Sequence, residues 1–472
     1  MIDDRIATRS TASPLSWPVW SAAAVVFGLA FATRSFFLFA PGFPIDQSQF
    51  LVWSDQARSG GLDGVYETRR PDGRRYCNYP PAYLYVLWWM AGVYERLAPE
   101  DGGALGDAAA DLLYGVDSPS ARLAGWLYKL PAVTADALLA AALVVWLSRR
   151  LGAAGARPLA IAEGTPRAAV VVGVGYALMP AAIHNSAVWG QVDAIPTLLM
   201  AASLERLRQR RIPAMTALAT LAVLTKAQAA ILAPIWVVAA FRWAGRQGRR
   251  WLALIGIVVV LTAALVAPFL SEAGGVWDAY ASAAGYYPYT HLNGFSIWFF
   301  SRPLNAPQLA GNLDQHYQRD DRPGLFGLTP RTAGLAAVWV VWATVVVRWW
   351  RRDEEAVLRW AARLLPLVFF FLATQMHERY LFPAIALWAW AYEPTRRWWV
   401  LWLLLGAAAA ANALWVWPGP GSGAVVAGLR DWLHRPWFGL SSGLYWATAV
   451  AALFFLSLPA PPSAEAREAD EG

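Results

Sequence analysis

The stretch WLALIGIVVVLTAALVAPFL, Trp251 to Leu270, runs for twenty residues without a charged side chain. That is the length a helix needs to cross the hydrocarbon of a bilayer, about 20 residues at 1.5 Å each. A second run, RTAGLAAVWVVWATVVV from Arg331 to Val347, has no charge after its first residue and approaches that length. Over all 472 residues, 57% are hydrophobic and only 15% charged, and the mean hydropathy is +0.36, which excludes an ordinary soluble domain. The period-two alternation of a membrane barrel is absent, so the runs read as helices. The expectation is an all-α, polytopic integral membrane protein with about 12–14 transmembrane helices.

The net charge of +7 and pI near 9.6 do not point to nucleic acid, because the arginines lie in short loops between apolar runs. LSRRLGAAGARP (Leu147 to Pro158), ERLRQRR (Glu205 to Arg211), FRWAGRQGRR (Phe241 to Arg250), RWWRRDEE (Arg348 to Glu355) and PTRRW (Pro394 to Trp398) recur after even numbers of crossings. The positive-inside rule places all five in the cytoplasm. Many of the 28 tryptophans stand at run ends, where an amphipathic ring suits the headgroups. A single cysteine, Cys77, leaves no internal disulfide.

Residues 1–16 read as a cytoplasmic segment before an uncleaved first helix, 17–458 as one transmembrane domain, and the Pro-, Ala- and Glu-rich tail 459–472 as disordered and cytoplasmic. Outer loops are expected at about 41–79 and 271–329, with the shorter turns Ile183–Asp193, Leu224–Gln228 and Gln375–Tyr380 on the same face. This assignment requires an odd number of crossings between Pro80 and Leu147, so either one segment is re-entrant or another helix crosses there.

Polar clusters gather on that outer face. In FPIDQSQFLVWSD (Phe43 to Asp55), helical spacing puts Asp46, Gln49, Phe50 and Trp53 on one side and Asp55 on the other. Asp46 reads either as a helix cap, with Gln49 completing a capping-box-like pair, or as a functional acid. The loop closes with YCNYPPAYLY, whose tyrosines, Tyr79 among them, suit the apolar face of a sugar ring. HNSAVWGQVD sets His184, Asn185, Trp189, Gln191 and Asp193 in one short turn, where Asp193 is either an N-cap or part of a site. Lys226 and Gln228 interrupt an apolar stretch, and His377, Glu378 and Arg379 stand between two others; such cations either snorkel or serve a site. Arg34, late in the first helix, poses the same question. So do Lys129 and Asp136, two turns apart on one face and able to form an ion pair or relay. Zinc spacings, a phosphate loop and a nucleophile elbow are absent.

Glycosidases need two carboxylates. A sugar leaving from a lipid phosphate needs one base, for the acceptor hydroxyl, and cations such as Lys226, His377 and Arg379 for the departing phosphate. The order of Arg34, Asp46 with Phe50 and Trp53, NYPPAYLY, KLPAVTAD, HNSAVWGQVD, TKAQ, NGFSIW (Asn293 to Trp298) and HERYLFPA resembles the GT-C glycosyltransferases that use polyprenyl-phosphate sugars. The likeness covers about residues 20 to 400 and is nearest to bacterial relatives of the second mannosyltransferase of GPI-anchor assembly, with a looser likeness to the glucosyltransferases of lipid-linked oligosaccharide synthesis.

The resemblance implies a GT-C-like domain with a helical first outer loop, in a multi-pass cell-membrane protein whose active site faces outward. It implies inverting transfer of a hexose, mannose above others, to a glycan, lipid or glycolipid acceptor of the cell envelope. Asp46 then falls on the catalytic base. Lys226, Gln228, His377, Arg379 and Arg34 fall on the donor phosphate, and Gln49, Trp53, Tyr79, His184, Asn185, Trp189, Gln191, Asp193 and Asn293 on substrate. Gln47 departs from the paired acids of protein O-mannosyltransferases, which weighs against a protein acceptor and a bound metal. No cofactor is expected, although a carboxylate-held divalent cation stays compatible with the sequence. A transporter or flippase for lipid-linked sugars is the rival reading, and an outer-face ligase of lipid-linked glycans a third.

Overall fold

The computed structural model describes residues 17–417 and 419, apart from 70–72, 74, 99–102, 154–159, 163–164, 282–286, 302–317, 325–326 and 353–354. The cytoplasmic segment 1–16, the tail 459–472 and part of the 271–329 loop therefore lie outside the described residues. Sixteen α-helices dominate the described residues. The first half comprises α1 (Trp17–Ser35), α2 (Pro44–Ser59), α3 (Pro81–Leu97), α4 (Leu105–Tyr114), α5 (Pro119–Ala153), α6 (Arg167–Ala177), α7 (Pro180–Ile183) and α8 (Ala194–Arg208). The second comprises α9 (Ile212–Thr225), α10 (Ala233–Ala244), α11 (Gly248–Val266), α12 (Ala273–Ala281), α13 (Pro330–Arg351), α14 (Glu355–Leu372), α15 (Phe382–Trp390) and α16 (Arg396–Val416).

Five helical stretches are long and apolar enough to cross a membrane: Pro119–Gly152, Ala227–Ala244, Gly248–Ser271, Pro330–Arg351 and Arg396–Val416. The pair Arg167–Ala177 and Pro180–Trp189, bent by 47°, makes a sixth if it is one span. This is fewer than the 12–14 expected, counted among the described residues. An apolar run read in one dimension conceals its breaks, and several of these runs divide into helices of 9 to 15 residues. The Gly248–Ser271 stretch is only 11% buried inside the protein while remaining highly apolar, as a helix facing lipid must be.

Helix α5, 35 residues and about 52 Å long, exceeds the ~30 Å hydrocarbon core. Two cations mark its useful length. Lys129 Nζ donates to the carbonyls of Phe37 (2.9 Å) and Ala40 (2.5 Å), just past the end of α1. Arg150, 21 residues and about 31 Å further along, lies 3.3 Å from Glu355 and donates to the Trp390 carbonyl. The turns of α5 before Lys129 project beyond α1 and pack with α2, α3 and α4 around their own core of Phe50, Trp53, Tyr83, Leu87, Tyr94, Leu112 and Tyr128. Helix α3 belongs to this cap and is not among the spanning stretches. Of the described segments between Pro80 and Leu147, only α5 is long and apolar enough to cross, which matches the odd number of crossings required there.

The basic loops converge at the opposite end. Glu205 binds Arg208 (2.8 Å), faces Arg150 (3.9 Å) and accepts from Trp390 Nε1 (3.4 Å); Arg242 donates to the Trp349 carbonyl, and Arg363 pairs with Glu393 at 2.8 Å. Arg150 also faces Glu355, which Arg359 joins to Glu393, so three of the loops that the positive-inside rule grouped on one face meet through ion pairs there or beside Glu393.

Candidate functional site

Three helix breaks at the cap end deliver the polar side chains. After α6 the chain bends at Leu178 and Met179, and His184–Trp189 forms a π-helix closed by Gly190 at φ +82°; π-turns are rare and recur at functional sites. Helix α9 stops at Thr225, Lys226 is extended (φ −154°), and a 3₁₀ turn covers Ala227–Leu232. After α14, Met376–His377 pairs in parallel with His291–Leu292, and a 3₁₀ turn at Glu378–Leu381 leads into α15. Asp320 secures this pairing: fully buried, it accepts from Arg331 (2.7 Å), Thr374 (2.7 Å) and Gln375 (2.8 Å).

The first loop is fastened to the π-helical turn by its backbone. Phe43 N donates to the Trp189 carbonyl (2.9 Å), and buried Gln47 Nε2 donates to the Gly190 carbonyl (2.8 Å). A carboxylate in place of Gln47 would set oxygen against oxygen there, which gives the amide a structural reason. A Cβ on Gly190 would lie 2.6 Å from Gln47 Nε2 and 3.0 Å from Lys129 Cγ. Gly190→Ala is therefore expected to destabilise the protein by at least the ~1–2 kcal/mol of a left-handed non-glycine residue and to loosen the loop. A thermal melt in detergent tests this, and an unchanged midpoint would contradict it.

Asp46 is not a cap. Phe43 holds the N-cap position of α2 without a side-chain bond, and Asp46 sits in the first turn with its carboxylate turned across to the π-helix. Its Oδ2 accepts from Trp189 Nε1 (2.7 Å) and from Gln191 Nε2, and faces Arg379 Nη1 at 3.7 Å. Oδ1 accepts none of these bonds, and the side chain keeps 14% of its surface exposed. One oxygen is pinned by three groups and the other is presented.

Arg379 complements this. Its Nη1 binds Glu378 Oε1 (2.9 Å) while Nη2 has no protein partner, and the guanidinium lies 5.7 Å from the Trp189 and Tyr380 ring centroids. Asp193 likewise makes no cap bond. It accepts from Asn185 Nδ2 (3.1 Å) and from buried Lys226, whose ammonium rests between the rings of Tyr79 (5.7 Å) and Tyr380 (5.3 Å). Tyr79 Oη is 3.5 Å from Gln191 Oε1, which closes the ring of contacts. The cluster holds two cations, Lys226 and Arg379, against three acids, Asp46, Asp193 and Glu378. Lys226 is neutralised where it stands, so the guanidinium edge at Nη2 is the donor on offer. Glu378 received no role from the sequence; an acid between two bases at a membrane face was the available signal.

Other residues fall elsewhere. Arg34, expected at the donor phosphate, is sealed in a pair with Asp136 (2.7 Å), both side chains at 0% exposure. Asp136 also accepts from Tyr176 (2.6 Å) and Ser186 (2.7 Å), and Lys129, two turns away on the same face, is bound to the Phe37 and Ala40 carbonyls instead. Trp53, expected to face substrate, is 1% exposed and packs against Phe50, Tyr76 and Tyr79 in the cap core. Gln49 is half-buried and makes no bond to Asp46. Gln228 Nε2 donates to the Tyr380 carbonyl (3.2 Å), and His184 Nε2 meets the Trp417 carbonyl (2.8 Å). His377 Nδ1 lies 3.5 Å from Arg379 Nη1, with its ring against Tyr287 and Tyr380. Asn293, at φ +67°, bridges to His377 and accepts from Asn412 Nδ2 at 2.8 Å. Asn412 itself was missed, although a lone amide in LLLGAAAAANALWV is the kind of intramembrane polar group that signals a role. No group of three or more metal-binding side chains occurs among the described residues.

A scan against protein-family models finds no match to this chain, and a search of curated proteins finds none either.

Proposed function

We propose that this protein is an inverting glycosyltransferase that moves a hexose, mannose above others, from a polyprenyl-phosphate donor to an acceptor hydroxyl at the outer face of the membrane. The observation that carries this reading is a carboxylate, Asp46, held through Oδ2 by Trp189 and Gln191 with Oδ1 outside those bonds, facing the Arg379 guanidinium at 3.7 Å. Asp46 Oδ1 takes the acceptor proton as the acceptor oxygen attacks the anomeric carbon from the face opposite the phosphate. The bond from anomeric carbon to phosphate oxygen breaks, and the polyprenyl phosphate departs with the electron pair. Arg379 receives the developing charge, in an arrangement fixed before reaction by Glu378 and the two rings. Lys226 serves by holding Asp193 and Tyr79 in place. The end opposite the basic loops is the outer face, following the positive-inside rule.

Membranes containing the protein, given a labelled polyprenyl-phosphate hexose, should transfer the label to an extractable acceptor; no transfer with any such hexose would remove the proposal. Arg379→Ala is expected to lower turnover by about 10²- to 10³-fold. Trp53→Ala, a core truncation, costs ~3–5 kcal/mol of stability and lowers the turnover of each folded molecule less. Equal effects per folded molecule would count against Arg379 as the phosphate ligand. The helix breaks also suit a transporter of lipid-linked sugars. That reading predicts flux across vesicles without any change in the glycan.

A further inference from the structure

Arg379 also lines a small, partly open pocket with Ala181, His184, Asn185, Trp189 and Glu378, to which α15 and α16 contribute further residues. Its enclosed part has room for about one water molecule. Three lining side chains carry buried polar atoms without a protein partner: His184 Nδ1, Asn185 Oδ1 and Arg379 Nε. His184 and Asn185 are only 5% and 4% exposed. Such atoms are costly to leave bare in an apolar interior.

The chemistry of the three atoms selects the ligand. His184 Nε2 faces the Trp417 carbonyl and must donate to it, so Nδ1 of the neutral ring is an acceptor. Asn185 Nδ2 donates to Asp193, which leaves Oδ1 as an acceptor, and Arg379 Nε–H is a donor. A metal cation would meet the guanidinium N–H, and an anion would meet two lone pairs. A molecule giving two hydrogen bonds and taking one satisfies all three. The geometry points to a built site for one water molecule here, bridging the π-helix to Arg379. With that water in place Nε and Nη1 are both engaged, and Nη2 alone keeps free hydrogen-bonding capacity.

The test is independent of any transfer activity. In a map of the whole protein in detergent or nanodisc, at a resolution where ordered waters appear, a single peak is expected at about 2.7–3.2 Å from all three atoms. An empty cavity with well-ordered walls, or a density too large for water, overturns the inference. Filling the cavity gives a second reading. Ala413→Val, from its wall in α16, expels a water and leaves its partners bare, so the thermal midpoint should fall by about 2–4 °C or more. A dry cavity would instead be stabilised by the added methyls, and a rise in the midpoint would overturn the site.

Discussion

Asp46→Asn is expected to lower hexose transfer by about 10²- to 10⁴-fold while leaving the folded yield unchanged. Trp189 Nε1 and Gln191 Nε2 both donate to the position of Oδ2, so an asparagine will turn its carbonyl oxygen toward them. Its NH₂ then occupies the place of Oδ1. A donor replaces the open lone pair, and no oxygen remains to accept the acceptor's proton. Shape and neighbouring contacts are otherwise kept, which separates loss of chemistry from loss of fold. The measurement is the initial rate of label transfer per folded molecule, beside the thermal midpoint. A rate within a few-fold of the parent would make Asp46 a structural residue and end its assignment as base.

The largest effect on stability is expected at Arg34 and Asp136. Both are fully buried at 2.7 Å, and Asp136 also collects hydrogen bonds from Tyr176 and Ser186. Asp136→Ala should destabilise the protein by about 3–5 kcal/mol, because it leaves a guanidinium without its counter-charge in an apolar interior. Arg34→Met combined with Asp136→Leu should recover much of that loss, since an apolar pair of similar volume brings no desolvation penalty. Unfolding in detergent, followed for the single and double variants, reads this directly. A double variant as unstable as Asp136→Ala would show that the network with Tyr176 and Ser186, rather than the charge pair, holds α1, α5 and α6 together. Ser186 adjoins Asn185 on the π-helix, so this network also supports the turn that carries Trp189 to Asp46.

Much of the site was legible as segments. Polar residues that interrupt apolar runs are costly in lipid unless partnered, and HNSAVWGQVD, TKAQ and HER are where the helices break. The partners were not legible. Lys129 and Asp136 share a helix face, yet Lys129 takes carbonyls at the end of α1 while Asp136 takes an arginine 102 residues away. Trp53 shares a face with Asp46 in one dimension, but the cap formed by α2, α3 and α4 buries that part of the face.

The sequence by itself pointed to the membrane and grouped the basic loops. Apolar length and the placement of arginines follow from the thickness of a bilayer and the cost of charge within it, both of which act on local stretches of chain. Tertiary structure alone decided that α3 stays in a cap and that Lys226 is already neutralised by Asp193. It also decided that Asp46 presents one oxygen and Arg379 one edge. Those outcomes depend on which groups meet through space, and hydrogen bonds and ion pairs a few ångströms long join residues that the chain places more than a hundred positions apart.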